Sequence, residues 1–427
     1  MKGLILAAPG SGAGKTTVTL ALLRLLSRQG IALRGAKSGP DYIDPRFHEA
    51  ACGAPSLNLD AWAMTPDRLL TLAHRGTADL LVIEGAMGLF DGAPPEGRGA
   101  VADLARGLGL PVVLVVDCAK MAQSIAPLVA GFAGFDPQVR LAGVILNRVG
   151  SPRHEGMLRR ALAPLGLPVL GCLPRRADLG LPERHLGLVQ AGETPGLGDF
   201  LERAADALTD GITEAFDSAA LLDLATPLPR AGPESCPPPP AQRIAVAQDA
   251  AFAFAYPHLL GDWRLAGAEV QMFSPLADDP VPEAELIYLP GGYPELHAGR
   301  LAANHRFLES LRCASENTDI YGECGGYMTL GDGLVDAHGT RHAMAGLLRL
   351  ETSFASRRLH LGYRSLDAAK GPFAGRWRGH EFHYATTLSA KGEPLFAARD
   401  SEGGALSAMG LRAGRVCGSF AHLIAPI

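Results

Sequence analysis

A chain of 427 residues is long enough for two or three domains, each with its own core, which excludes a small scaffold that depends on metal or disulfide staples. Glycine and proline, 52 and 32 residues, make up about a fifth of it, short of the roughly 25–30% of low-complexity chains, and with 47% hydrophobic residues it reads as a folded, turn-rich protein. With 39 Lys+Arg against 44 Asp+Glu, a formal charge of −5, and 6% aromatics, it offers neither the basic field nor the stacking platforms that nucleic acid requires.

The N-terminal apolar stretch breaks at Pro9 into a glycine loop and not into a signal-cleavage site, and no run reaches the ~18 apolar residues of a membrane span. Seven cysteines, at 52, 118, 172, 236, 313, 324 and 417, include no C-x-x-C pair and are expected as thiols. A cytoplasmic protein without membrane association is therefore expected. Short β-rich runs at residues 4–7, 32–37, 80–84, 111–117, 142–147 and 169–173 alternate with helical stretches, which predicts a parallel sheet with crossover helices. Seven prolines within residues 226–241, TPLPRAGPESCPPPPA, forbid helix and interior strand there. The expected organisation is a first domain over 1–225, a linker over 226–241 and a second domain over 242–427. Strand-like runs resume at 243–247, 269–273, 286–290 and 320–321, with a less regular pattern after Gly331.

The first run opens into Gly10, Ser11, Gly12, Ala13, Gly14, Lys15, Thr16 and Thr17, followed by a helical pattern. In that context backbone N–H groups can wrap phosphates, with Lys15 as a point charge and Thr16 as a hydroxyl for Mg²⁺. The strict phosphate-loop pattern fails once, because its first glycine falls on Pro9. Asp41, Tyr42 and Asp44 follow the second run, and Glu84 and Asp91 end the third. In a doubly wound sheet these loops converge beyond the carboxyl ends of the strands. Their four carboxylates are then expected near ATP, with Glu84 favoured as a metal ligand and the aspartates alternatively serving as turn caps. Asn147 ends another strand and has the donor–acceptor face to read an adenine edge, or closes an ordinary turn.

In the second half, Gly322-Glu323-Cys324-Gly325-Gly326 fits a strand-to-helix elbow that exposes a nucleophile and donates the next N–H, that of Gly325, to an oxyanion. Gly291 and Gly292, at another strand end, are candidates to complete that oxyanion hole, and His422 is the candidate general base. His380-Glu381-Phe382-His383 is not a metalloprotease helix, since the second histidine of H-E-x-x-H falls on Tyr384. His380, Glu381 and His383 either face a polar substrate or form an internal polar cluster.

Ten segments in order, APGSGAGKTT, KSGPDYIDP, NLDAW, EGAMGLFDG, GVILNRVGS, LPGGYPELHAG, YGECGGYMTL, LGYR, GHEFHY and GSFAHL, resemble the cobyrinic acid a,c-diamide synthase family, including its hydrogenobyrinic acid branch, over nearly all of the chain. The resemblance implies two doubly wound α/β domains. The first is P-loop NTPase-like and similar to dethiobiotin synthetase; the second is a class I glutamine amidotransferase. It implies ATP and Mg²⁺ as cofactors, a corrin and L-glutamine as substrates, and a homodimer as the candidate assembly. By residue, it carries ATP binding onto Gly12 to Thr17, Mg²⁺ and carboxylate activation onto Asp41, Asp44, Glu84 and Asp91, the nucleophile onto Cys324 and its base onto His422. One departure stands out: the glutamate expected two residues after the base falls on Ile424, so the group orienting His422 is unassigned. Rival readings are a related tetrapyrrole amidase such as nickel-sirohydrochlorin a,c-diamide synthase, a switch ATPase, and a binding module with a dead glutaminase.

Overall fold

The computed structural model describes residues 1–427 apart from 185–186, 211–213 and 233–235. The chain divides into two compact units, Met1–Ser235 and Cys236–Ile427.

Elements of the first unit are β1 (Lys2–Ala7), α1 (Lys15–Arg28), β2 (Leu33–Ser38), α2 (Asp44–Cys52), β3 (Leu57–Leu59), α3 (Pro66–His74), β4 (Leu80–Glu84), α4 (Val101–Leu108), β5 (Val112–Asp117), α5 (Ile125–Phe135), β6 (Leu141–Val149), α6 (Pro152–Leu162), β7 (Val169–Pro174), the hairpin β8 (Glu183–Arg184) and β9 (Gly187–Leu188), α7 (Leu197–Thr209), α8 (Ser218–Leu224) and β10 (Thr226–Pro227). Strands run in the order β3-β2-β4-β1-β5-β6-β7, and each neighbouring pair is parallel. Helices cover both faces, so the strands are buried on both sides and read as continuous apolar runs, as the sequence predicts. β1 lies between β4 and β5, with the chain leaving in opposite directions on its two sides, and the loop after it opens at this switch point.

Two elements differ from expectation. β3 has only three residues, too few for a periodic signal. β10 lies inside the proline-rich segment, pairing antiparallel with Lys2 and Gly3. Pro227 is tolerated there at the end of a two-residue edge pairing. The segment's first residues thus belong to the sheet of the first unit, and Leu228 is buried against it.

The second unit comprises β11 (Arg243–Ala247), α9 (Pro257–Leu265), β12 (Glu269–Phe273), β13 (Leu286–Leu289), α10 (Ala298–Ala303), α11 (His305–Ala314), β14 (Asp319–Glu323), α12 (Gly325–Leu330), β15 (Gly333–Val335), β16 (Arg341–Ala343), β17 (Arg349–Ser353), β18 (His360–Ala368), β19 (Gly375–His383), β20 (Thr386–Lys391), β21 (Ala397–Arg399), β22 (Leu411–Ala413), β23 (Val416–Ser419) and β24 (Ala421–Pro426). A sheet ordered β12-β11-β13-β14-β23-β22 is parallel except at β22. Two smaller sheets follow, β16-β15-β17-β20 and β21-β18-β19-β24. The region after Gly331 is therefore strand-rich, and its irregular sequence pattern reflects a mixture of largely exposed strands, such as β16 and β20, with buried ones, such as β23 and β24. Among the described residues no helix is long and apolar enough to cross a membrane.

Candidate active site

The loop between β1 and α1 is shaped by glycine where side chains cannot go. Gly14 has φ +80°, and a Cβ there would fall 2.2 Å from Asn147 Nδ2. This close approach lets Asn147 Nδ2 donate to the Ala13 carbonyl at 2.8 Å, while the Arg148 N–H donates to Asn147 Oδ1 at 2.9 Å. One Asn147 N–H and one lone pair of its Oδ1 thus hold the loop, and the residue also lines the larger hollow. Two adjoining hollows, of about 410 and 690 Å³, share Gly14, Thr17 and Arg148 in their walls. The larger is also lined by Lys120, Arg175 and Arg176, a cationic wall suited to a polyanion.

At the floor of the smaller hollow lies a buried ionic cluster. Thr16 Oγ1 donates to Glu84 Oε1 at 2.7 Å. Lys37 Nζ donates to Asp44 Oδ2 at 2.5 Å and to Glu84 Oε1 at 2.8 Å, and His48 Nε2 lies 2.7 Å from Glu84 Oε2. Burial pulls Lys37 down, but Asp44, Glu84 and Asp41 outweigh it and hold the ammonium well above its usual range. Burial likewise opposes ionisation of Glu84, yet Lys37 and His48 keep it an anion. Asp44 is pushed up to about 8, first by burial and then by Asp41. Lys15, whose Nζ donates to the Met87 carbonyl, is drawn down to about 8 by burial and by Lys37.

Asp41, Asp44 and Glu84 thus surround the Lys37 ammonium, with the Lys15 ammonium beside them. Thr16, Asp41, Asp44 and Glu84 all line the smaller hollow, and their oxygens are of the ligand type that a hard divalent ion such as Mg²⁺ takes.

The other predicted residues of this unit are placed less uniformly. Asp41 Oδ1 accepts from the Ile43 and Asp44 N–H groups at 2.7 and 3.1 Å, so it caps the entry to α2 while still lining the hollow. Asp91 accepts from Gly88 N–H at 3.0 Å and caps that turn. Tyr42 is buried, 5% exposed, and is not among the residues lining either hollow. Lys37 and His48 were missed by sequence reasoning. The usable signal was a lysine near the end of a strand whose every residue is buried, since a buried ammonium must find anions.

In the second unit, Cys324 occupies the turn from β14 into α12 with φ 45° and ψ −100°, a conformation rare outside glycine. The chain on both sides fixes it: Cys324 N–H donates to the Ser419 carbonyl at 2.8 Å, and Gly326 N–H to Pro290 at 3.1 Å. A Cβ at Gly291 would fall 2.3 Å from His422 Cε1, 2.9 Å from its Nε2 and 3.3 Å from Cys324 Cβ, so all three residues meet at one point. A Cβ at Gly325 would fall 3.0 Å from Gly292 N, which brings the predicted oxyanion glycines together. Burial, then Glu295, pushes the Cys324 thiol well up. His422, drawn down to about 3 by burial and by His380 and His383, is a neutral imidazole able to accept a proton.

His380, Glu381 and His383 lie on β19, with His380 directly opposite His422 on β24. Strand geometry rules out a helical zinc motif. Arg364 Nε and Nη2 donate to Glu381 Oε2 at 2.9 and 2.7 Å, and His383 Nε2 lies 3.0 Å from Glu381 Oε1. His383 also stacks on Phe420, with ring centroids 3.9 Å apart. Arg364, Glu381 and His383 thus form a polar network, while His380, also buried, lies opposite the histidine of the thiol site.

Comparison with known proteins bears on both units. Residues 4–189 match the CobQ/CobB/MinD/ParA nucleotide binding domain, and residues 243–426 match the CobB/CobQ-like glutamine amidotransferase domain. The chain is 55% identical to the hydrogenobyrinate a,c-diamide synthase of Brucella anthropi, across 99% of this chain and 98% of that protein. It is 54% identical to the protein of the same name from Rhodobacter capsulatus, across 99% of both chains. With more than half of all positions identical along the full length, the chain belongs to the hydrogenobyrinate a,c-diamide synthase family.

Proposed function

We propose that the protein is a glutamine-dependent amide-forming ligase that uses ATP to amidate the a and c side-chain carboxylates of hydrogenobyrinate or a closely similar corrin, in cobalamin biosynthesis. The observation that carries this reading is the presence, in one chain, of a phosphate loop over a carboxylate cluster and of a thiol held against a neutral imidazole. The name shared by the full-length relatives supplies the acceptor.

A carboxylate is a poor acyl donor in neutral water, so it must first be activated. Lys15 and the loop N–H groups hold the triphosphate, and the corrin carboxylate takes the γ-phosphoryl group to become an acyl phosphate. Thr16, Glu84, Asp44 and Asp41 would hold Mg²⁺, which when bound offsets negative charge on the phosphates. Lys37 holds Glu84 and Asp44 in place beneath the loop. In the other unit the Cys324 thiolate attacks the glutamine carboxamide, and the N–H groups of Gly292 and Gly325 are suited to the oxyanion. Ammonia leaves, the thioester is hydrolysed to glutamate, and ammonia displaces phosphate from the acyl phosphate. Each amide formed consumes one ATP, one glutamine and one water, and yields ADP, phosphate and glutamate; two rounds give the diamide.

The test separates the halves. Cys324→Ala should abolish glutamine-supported amidation and leave ammonia-supported amidation near wild type, since the synthetase half does not use the thiol. Normal glutamine-supported activity in Cys324→Ala would remove the nucleophile from the scheme. ATP turnover that never requires a carboxylated acceptor would point to a switch ATPase.

A further inference from the structure

We propose that Glu323 is the positioning carboxylate of the Cys324–His422 pair, holding the imidazole with Nε2 towards the thiol and balancing the charge when the ring takes up a proton. The inference rests on the glutaminase reading above.

In that reaction the Cys324 S–H bond breaks as its proton passes to His422 Nε2, and the sulfur bonds to the carboxamide carbon. The C–N bond then breaks, with the proton returned from His422 to the departing ammonia. Between those events the ring is a cation. It is also fully buried, with His380 and His383 nearby, surroundings that oppose positive charge. Ile424 brings no side-chain acceptor, and its carbonyl already faces His258 Nε2 at 2.8 Å.

Glu323 is the acid that the fold sets beside the ring. Its Oε2 lies 3.6 Å from His422 Nδ1, while the Nε2–Cε1 edge of the ring is the one that closes on Gly291 and Cys324. The acid therefore lies at Nδ1 while the Nε2 edge is turned towards Gly291, the glycine that Cys324 also approaches, the arrangement a base needs in order to pass a proton while being oriented from behind. The carboxylate is pinned at both oxygens: Tyr288 Oη donates to Oε2 at 2.7 Å, and the Leu423 N–H donates to Oε1 at 3.0 Å. Leu423 follows His422 directly, so the acid grips the strand that carries the base. Glu323 also precedes Cys324 directly, so one turn fixes both acid and nucleophile.

Other groups face this pair and enter any pH profile. His380 and His383 face His422, which the Phe254 backbone also hydrogen-bonds; Glu295 and Glu381 bear on Cys324; Tyr288 and Tyr321 face Glu323. Burial holds Glu323 up at about 7, against the Leu423, Tyr288 and Tyr321 hydrogen bonds, so its anion is available from neutrality upward.

The decisive readout is the rate of Cys324 alkylation by iodoacetamide across the neutral and alkaline range in the full-length enzyme, with glutamine kinetics alongside. Glu323→Gln should displace the alkylation profile to higher pH and lower kcat with glutamine about tenfold or more, with KM for glutamine and ammonia-supported amidation unchanged. Glu323→Asp should recover part of both losses. A wild-type profile in Glu323→Gln overturns the proposal. So does equal impairment of Glu323→Gln and Glu323→Asp with a raised KM, the mark of a structural role. Should Glu323→Gln fail to fold, Tyr288→Phe decides, because it removes only the hydroxyl on Oε2: an upward-shifted profile supports the proposal and an unchanged one overturns it. Alkylation needs neither ATP nor corrin, so failure here leaves the amidation reading to its own Cys324→Ala test.

Discussion

Lys37→Met keeps the length of the side chain and deletes the ammonium at the centre of the nucleotide-side cluster. In the native protein that ammonium donates to Asp44 and Glu84 at 2.5 and 2.8 Å, and both carboxylates are buried. Removing one partner of a buried ion pair costs about 3–5 kcal/mol, because the charge left behind has neither water nor counter-ion. At about 1.4 kcal/mol per decade, global exchange of amide hydrogens in the first unit should quicken by two to four orders of magnitude. The cost is not constant with pH. Asp44, already raised to about 8 in the native cluster, can take a proton below that pH and relieve the surplus charge, so the defect should be larger in alkaline buffer than in mildly acidic buffer. Hydrogen exchange resolved by peptide is the assay, with peptides from residues 236–427 as the internal control. Exchange within threefold of wild type in β2 and β4 at alkaline pH would refute the reasoning. Equal acceleration in the control peptides would show a lesion not specific to the cluster.

Gly291→Ala tests the thiol site, since the added Cβ would lie 2.3 Å from His422 Cε1 and must displace the ring. A shift of about 1 Å lowers turnover on the order of a hundredfold, so glutaminase activity should fall by that much while ammonia-supported amidation measured by product formation holds. Glu84→Gln preserves shape but removes the charge that faces Thr16 and Lys37; ATP-dependent amidation should fall about a hundredfold with glutamine hydrolysis retained, as single-turnover phosphoryl transfer would show. Glu323 links pH to the stability of the second unit. Its folded-state pKa of about 7 lies above the unfolded value near 4.3, so the folded state keeps a proton that the unfolded chain releases, and stability falls as pH rises through that window by up to about 4 kcal/mol. Urea midpoints measured across the window should lose this slope in Glu323→Gln; an unchanged slope assigns the titration elsewhere.

The parts of the fold legible in the sequence were those whose burial leaves a simple trace. Strands such as β4 and β5, covered on both faces, appear as unbroken apolar runs, and the phosphate loop follows β1 with its glycines in view. β3 and β10 are too short to carry a pattern, and β20 is largely exposed, so no core face marks it. The same division holds for the sites. Cys324 and its flanking glycines are local in sequence and could be read directly. The contacts of Lys37 with Glu84, of His48 with Glu84 and of Glu323 with His422 are made between strands and helices far apart in the chain, and residue type alone does not reveal them. Asp41 and Asp91 show the opposite problem, since each accepts the backbone hydrogen bonds of a turn cap beside a site, and sequence cannot distinguish the two uses.

The central claim is that one chain couples glutamine hydrolysis to ATP-driven amidation of a carboxylated corrin. Its most direct test is mass spectrometry of the products formed from hydrogenobyrinic acid, ATP and amide-¹⁵N-labelled glutamine, with ADP and glutamate quantified in the same reaction. The account predicts a diamide carrying label at both new amides, with one ADP and one glutamate for each amide formed. ATP hydrolysis and glutamate release without labelled corrin amide, under conditions where the acceptor is bound, would contradict it.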